Sequence, residues 1–168
     1  VFQTTKKDCE EIMKADKWCV KLRKTRERTA EVYTIDCEMD HPDFSEAQVS
    51  LRRTSSGRVT VNLFVETDEG REPVKRLDYD PAHPDIPKYR RRGVSATLHQ
   101  VIAPNRGHDE QIKNPHFLGR GDQKSPGPPW DILTGFLREV RVSCPVEKLH
   151  EWYHDLASDL LEVNDEDQ

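Results

Sequence analysis

The chain predicts an α+β fold: a mostly antiparallel sheet of about six strands, an amino-terminal helix and a carboxy-terminal helix pair. Three observations carry this expectation. Apolar residues recur at every second position through most of residues 18–98, the period of strands with one dry and one wet face. Helical spacing is confined to the two ends of the chain. The connections between the early strand-like runs are short and rich in turn formers. Helices segregated from a run of strands indicate an α+β rather than an alternating α/β layering.

The elements follow in order. Thr5 followed by Asp8 has capping-box spacing, and Cys9, Ile12 and Met13 form a short apolar stripe, so a helix is expected over about residues 5–15. Period-two alternation then takes over. Trp18, Val20 and Leu22 should face one way, and Tyr33, Ile35, Cys37 and Met39 mark a second strand. Val49 and Leu51 lead into "TSSG" at 54–57, and Val59, Val61, Leu63 and Val65 return as a hairpin. Lys75, Leu77 and Tyr79 suggest a fifth strand, and Val94, Ala96 and Leu98 a sixth. The pattern stops after Ile102 and resumes at Pro128, leaving residues 103–127 as a long loop of the kind that carries function. Pro128 and Pro129 can open a helix striped by Trp130, Leu133, Leu137 and Val140. Pro145 opens another, with Val146, Leu149, Tyr153, Leu156, Leu160 and Val163 down one side. The expected organisation is one domain over residues 1–163 and an acidic tail over 164–168.

Composition bounds the function classes. In 168 residues, 34% are hydrophobic and 34% charged, with mean hydropathy -0.87. The core should therefore be modest, with a broad solvated surface or a partner covering part of it. The opening "VFQTTKKDCEEIMK" has no apolar signal core, and no apolar run approaches a membrane span. Cys9, Cys19, Cys37 and Cys144 form no CxxC pair, which predicts reduced thiols and a cytoplasmic setting. Charge is unevenly placed. Residues 1–30 carry nine bases and five acids, residues 31–50 six acids and no base, and residues 128–168 three bases and ten acids. "KYRRR" at 88–92 is the densest basic cluster.

The stretch "LHEWYHDLASD" at 149–159 fits two enzyme motifs. His150-Glu151-x-x-His154 has zinc-protease spacing, but both histidines flank the helix stripe and Glu151 points away from it. "YTIDCEMD" at 33–40 resembles the first motif of the DEDD-type 3′–5′ exonucleases, and the likeness extends weakly through 45–66. It implies Asp36 and Glu38 as ligands of divalent metals, with His154 and Asp159 as the last motif. Two carboxylates two residues apart on a strand share a face about 7 Å apart, close enough to share metals that activate water. The family's middle motif has only Asp131 as a candidate, about two dozen residues before His154. Thr34, Asp36, Glu38 and Asp40 also serve simply as the wet face of an amphipathic strand.

"VKRLDYDPAHPDIP" at 74–87 and "RRGVSATLHQV" at 91–101 resemble small bacterial toxin–antitoxin proteins of the TumE-like kind. The matching positions are Arg76, Asp78, His83, Pro84 and His99, and the likeness implies Asp78, His83 and His99 as catalytic residues. The family's paired histidines are absent. Lys88, Arg90, Arg91 and Arg92 can hold phosphates, and Tyr89 can stack on a base. The resulting expectation is a small bacterial protein that binds or acts on RNA or DNA, as a toxin or defence component. It would need no cofactor unless it is exonuclease-like. The alternative is a non-enzymatic module docking a protein partner through the acidic carboxy-terminal helices or the 103–127 loop.

Overall fold

The computed structural model describes residues 4–80, 98–102, 110–112 and 129–153, with backbone alone at 98, 99 and 110–112. The fold is α+β, as expected, with the sheet curled into a half-barrel. Helix α1 (Lys6–Lys14) opens on the anticipated capping box. Thr5 Oγ1 accepts from the Asp8 amide at 3.0 Å, and the Thr5 amide donates to Asp8 Oδ2 at 2.9 Å. Its stripe buries Cys9 and Ile12.

Five long strands then run as a meander: β1 (Lys17–Arg26), β2 (Ala30–Met39), β3 (Glu46–Thr54), β4 (Val59–Thr67) and β5 (Gly70–Tyr79). Strand β6 (Leu98–Ile102) pairs antiparallel with β5, and β7 (Glu110–Ile112) with β6. After helix α2 (Pro129–Glu139), the two-residue β8 (Val142–Ser143) joins β1 in parallel. The sheet order is β7-β6-β5-β4-β3-β2-β1-β8. A further helix starts at residue 146 and is described to residue 153.

Alternation sorts the sheet into two faces. Tyr33, Ile35, Cys37 and Met39 of β2 join Val49 and Leu51 of β3 and Val59, Val61, Leu63 and Val65 of β4 on the inner face. Cys9 and Ile12 of α1, Ile132, Leu133, Phe136 and Leu137 of α2, and Leu149 and Trp152 of the last helix close over them. The outer face is polar. Arg23 binds Asp36 through two hydrogen bonds of 2.8 Å, Gln48 donates to Asp36 at 3.0 Å, and Arg71 donates to Gln48 at 2.6 Å.

Two expectations are corrected. Trp18, Val20 and Leu22 do not share a face. The β1–β2 register slips between Cys19 and Lys21, so Trp18 opposes Glu38 outside while Leu22 opposes Ile35 inside. That bulge leaves Trp18 43% and Val20 54% exposed, because one extra residue flips the alternation. The expected loop over 103–127 contains β7, too short for any periodicity to reveal. Leu98 of the expected sixth strand does begin β6, opposite Tyr79, while Val94 and Ala96 lie outside the described residues.

Two buried lysines tie helices to the sheet. Lys17 Nζ donates to the carbonyls of Ala15 at 2.7 Å and Val140 at 2.6 Å, just past the C-termini of α1 and α2. Desolvation lowers its pKa to about 8, since burial penalises the ammonium. Lys75, on the inner face of β5, pairs with Glu139 at 2.8 Å and lies 5.5 Å from the Phe136 ring centroid.

Candidate functional site

In a meander, alternate turns lie at the same end of the sheet, and here the ends differ in charge. The β2–β3 and β4–β5 turns, residues 39–46 and 67–70, hold Asp40, Asp43, Glu46, Asp68 and Glu69 and no Lys or Arg. The β1–β2 and β3–β4 turns at the other end hold Arg26, Arg28 and Arg58 against Glu27. Lys24, Arg52, Arg53 and Glu31 stand on the strand ends beside them. Arg52 pairs with Glu27 at 2.8 Å and Arg26 with Glu31 at 3.7 Å. Arg28 and Arg58 are exposed. The chain also leaves β5 at Tyr79 and returns in β6 at Leu98 at this basic end.

Aromatic rings gather at the same end. The α2 C-terminus is held near the start of β1, through the Lys17 bond to Val140 and a 2.9 Å bond from the Lys17 amide to the Arg141 carbonyl. The helical rise from Val140 back to Trp130 places that ring about 15 Å away, toward the basic turns. The last helix makes the parallel journey, from Cys144 beside β1 to Trp152. Trp152 donates to the Arg23 carbonyl at 3.3 Å and meets Tyr33 edge-on, with centroids 5.4 Å apart at 89°. Trp130 then contacts His150 at 5.0 Å and Tyr153 at 4.8 Å. Burial raises the Tyr33 and Tyr153 hydroxyl pKa values, and the charge of nearby Arg53 opposes both shifts.

The residues singled out from sequence are distributed as follows. Asp78 and His99 oppose each other directly in the β5–β6 register. Asp78 is 8% exposed and accepts from Arg76 at 2.8 Å and Thr60 at 3.1 Å. His83, Lys88, Tyr89, Arg90, Arg91, Arg92, His154 and Asp159 lie outside the described residues. Asp36 and Glu38 do share the outer face. Burial alone would raise the Asp36 pKa, but the bonds from Arg23 and Gln48 outweigh it and hold the carboxyl below its ordinary value. Glu38 accepts from Trp18 Nε1 at 3.1 Å. Asp131 is in the first turn of α2, on the helix covering the inner face. Among the described residues no group of three His, Cys, Asp or Glu side chains is arranged to hold a metal. All four cysteines are free thiols, and no described helix is long and apolar enough to cross a membrane.

Sequence reasoning missed Arg28, Arg53, Arg58 and the Trp130–His150–Tyr153 cluster. A signal existed for the first group: successive turns alternate basic, acidic, basic, acidic along the chain. The aromatic cluster had none, because it joins two helices whose meeting is a tertiary event. A cavity of about 660 Å³ between α1, α2 and β5–β6 is lined by Met13, Lys14, Ile102 and Arg138, together with the paired Lys75 and Glu139. No protein-family model, curated protein or solved structure matches the chain, so the resemblances at 33–66 and 74–101 rest on their motifs alone.

Proposed function

We propose that the protein binds nucleic acid at the basic end of its sheet. The observation that carries this reading is the charge separation between alternate turns: Arg26, Arg28 and Arg58 against Glu27 at one end, five carboxylates and no Lys or Arg at the other. In sequence, Lys88, Tyr89, Arg90, Arg91 and Arg92 fall between Tyr79 and Leu98, which are paired at that basic end. Arginines grouped at one end of a domain attract phosphates and release their counterions. Binding is favoured over cleavage because the Asp78 carboxylate is buried and already engaged by Arg76 and Thr60.

The test is fluorescence anisotropy with a labelled single-stranded oligonucleotide across a salt series. Saturable binding at low salt is expected, weakening as salt rises. Arg28→Ala with Arg58→Ala should weaken it several-fold and flatten the log–log salt slope by ~0.7 for each phosphate no longer neutralised. No binding at about 50 mM salt, where phosphate-driven association is strong, or a double variant indistinguishable from the native chain, rejects the proposal.

A second reading, docking of a protein partner, is favoured by exposed apolar side chains on β1 and at the start of the last helix. Trp18, Val20 and Val146 are 43%, 54% and 70% exposed. Val20 also lines a cavity of about 360 Å³ with Cys19, Leu22, Pro145 and Trp152, where the last helix meets β1. If a partner seats an apolar segment there, Val20→Glu should abolish its co-purification while oligonucleotide binding persists.

A further inference from the structure

The geometry points to a base-stacking platform, built from Trp130, His150 and Tyr153, that makes the ligand of the basic end a single strand with unpaired bases. This rests on the nucleic-acid reading above and narrows it to one substrate class. The three rings come from two helices that meet at the same end of the sheet as Arg28, Arg53 and Arg58. Trp130 is in the first turn of α2, and His150 and Tyr153 are in the helix beginning at residue 146. The rings meet at centroid distances of 5.0 and 4.8 Å with tilts of 52° and 49°. Tilted rings do not consume one another's faces as a parallel stack would, so faces are left for another planar group.

Exposure fits such a use. His150 is exposed and Trp130 and Tyr153 are half-buried, while the neighbouring Trp152 is buried against Tyr33 and serves the core. Charge lies alongside. Arg53 is close enough to influence Tyr33 and Tyr153 electrostatically, and Asp131 adds an opposing charge beside Tyr153. The N-terminus of α2 adds the positive end of a helix dipole on the same side. Arginines beside partly exposed rings form the combination that holds single strands without reading their sequence, phosphates on the guanidinium groups and bases on the rings. A duplex keeps its bases stacked inside and offers the rings nothing.

The experiment compares three labelled ligands with the intact chain by anisotropy: a thymidine 12-mer, a 12-mer of abasic sites with the same phosphates, and a 12-base-pair duplex. The expected result is that the abasic strand binds at least tenfold more weakly than the thymidine strand, with the duplex weaker than the thymidine strand too. His150→Ala, at an exposed position, should narrow the thymidine–abasic gap several-fold, and Trp130→Leu should narrow it further if circular dichroism shows the fold retained. Equal affinity for the thymidine and abasic strands, a gap that His150→Ala leaves intact, or preference for the duplex overturns the platform while leaving phosphate binding in place. Failure of all three ligands to bind overturns the nucleic-acid reading itself.

Discussion

Lys17 shows most sharply how one residue's chemistry follows from its surroundings. The residue is 1% exposed and its ammonium is held by two carbonyls just beyond helix C-termini, where the helix dipole favours a cation. Desolvation nevertheless dominates and lowers its pKa from 10.5 to about 8. The folded chain thus binds fewer protons at this site than the unfolded one between about pH 8 and 10.5, so this residue's contribution to stability rises with pH across that window. Below about pH 8 both states are protonated and the contribution is flat. Urea unfolding of the native chain and Lys17→Met should be compared at about pH 7.5 and about pH 9.5, on either side of the folded-state pKa. The native chain should gain on the variant by roughly one to a few kcal/mol, since each tenfold difference in proton affinity is worth about 1.4 kcal/mol. A constant difference would mean that Lys17 titrates normally. Cys37 is the counterpart: burial, with the neighbouring Cys19, pushes its thiol up to about 12. It should resist alkylation near neutral pH in the native chain and react at once in urea.

At the scale of elements, α1 and the last helix are secured in different ways. Helix α1 depends on local chemistry, a reciprocal cap visible in four consecutive residues. Thr5→Ala should cost about 1 kcal/mol in denaturant unfolding. The last helix depends on Trp152, which joins it to β1 and β2 through one hydrogen bond and one edge-to-face ring contact. Trp152→Phe should lose about 1 kcal/mol for the bond while keeping the packing, and Trp152→Ala roughly 3 kcal/mol. A Phe variant as damaged as the Ala variant would show that the indole hydrogen bond, rather than the ring, holds the helix. Period-two alternation made β2 to β4 legible because their inner faces are uniformly apolar. It misled at β1, where the bulge changes the phase within one strand and no residue type announces it.

Over the whole molecule, the meander converts a pattern of turn charges into a dipolar domain, with net charge -5 despite its basic end. Asp165, Glu166 and Asp167 lie near the carboxy-terminal end of the sequence, and the last described helix heads toward the basic turns. Neutralising all three as Asp165→Asn, Glu166→Gln and Asp167→Asn should raise oligonucleotide affinity roughly two- to threefold at low salt by long-range electrostatics. The gain should vanish above about 0.5 M salt, where screening is short-ranged. An effect that survives high salt would instead indicate direct contact.

The sequence by itself determined the α+β class, the capped first helix, most of the strands and the proline-opened second helix, because each is written in local periodicity or turn chemistry. It also placed Asp36 and Glu38 on one face, since strand alternation is local. Only the tertiary structure decided that Asp36 is engaged by Arg23 and Gln48, that Asp78 opposes His99, and that Trp130 meets His150 and Tyr153. Those contacts join residues that are far apart in sequence, and no local pattern encodes them. The polarity of the sheet lies between the two: the turn charges are in the sequence, but only the antiparallel pairing brings alternate turns to one end.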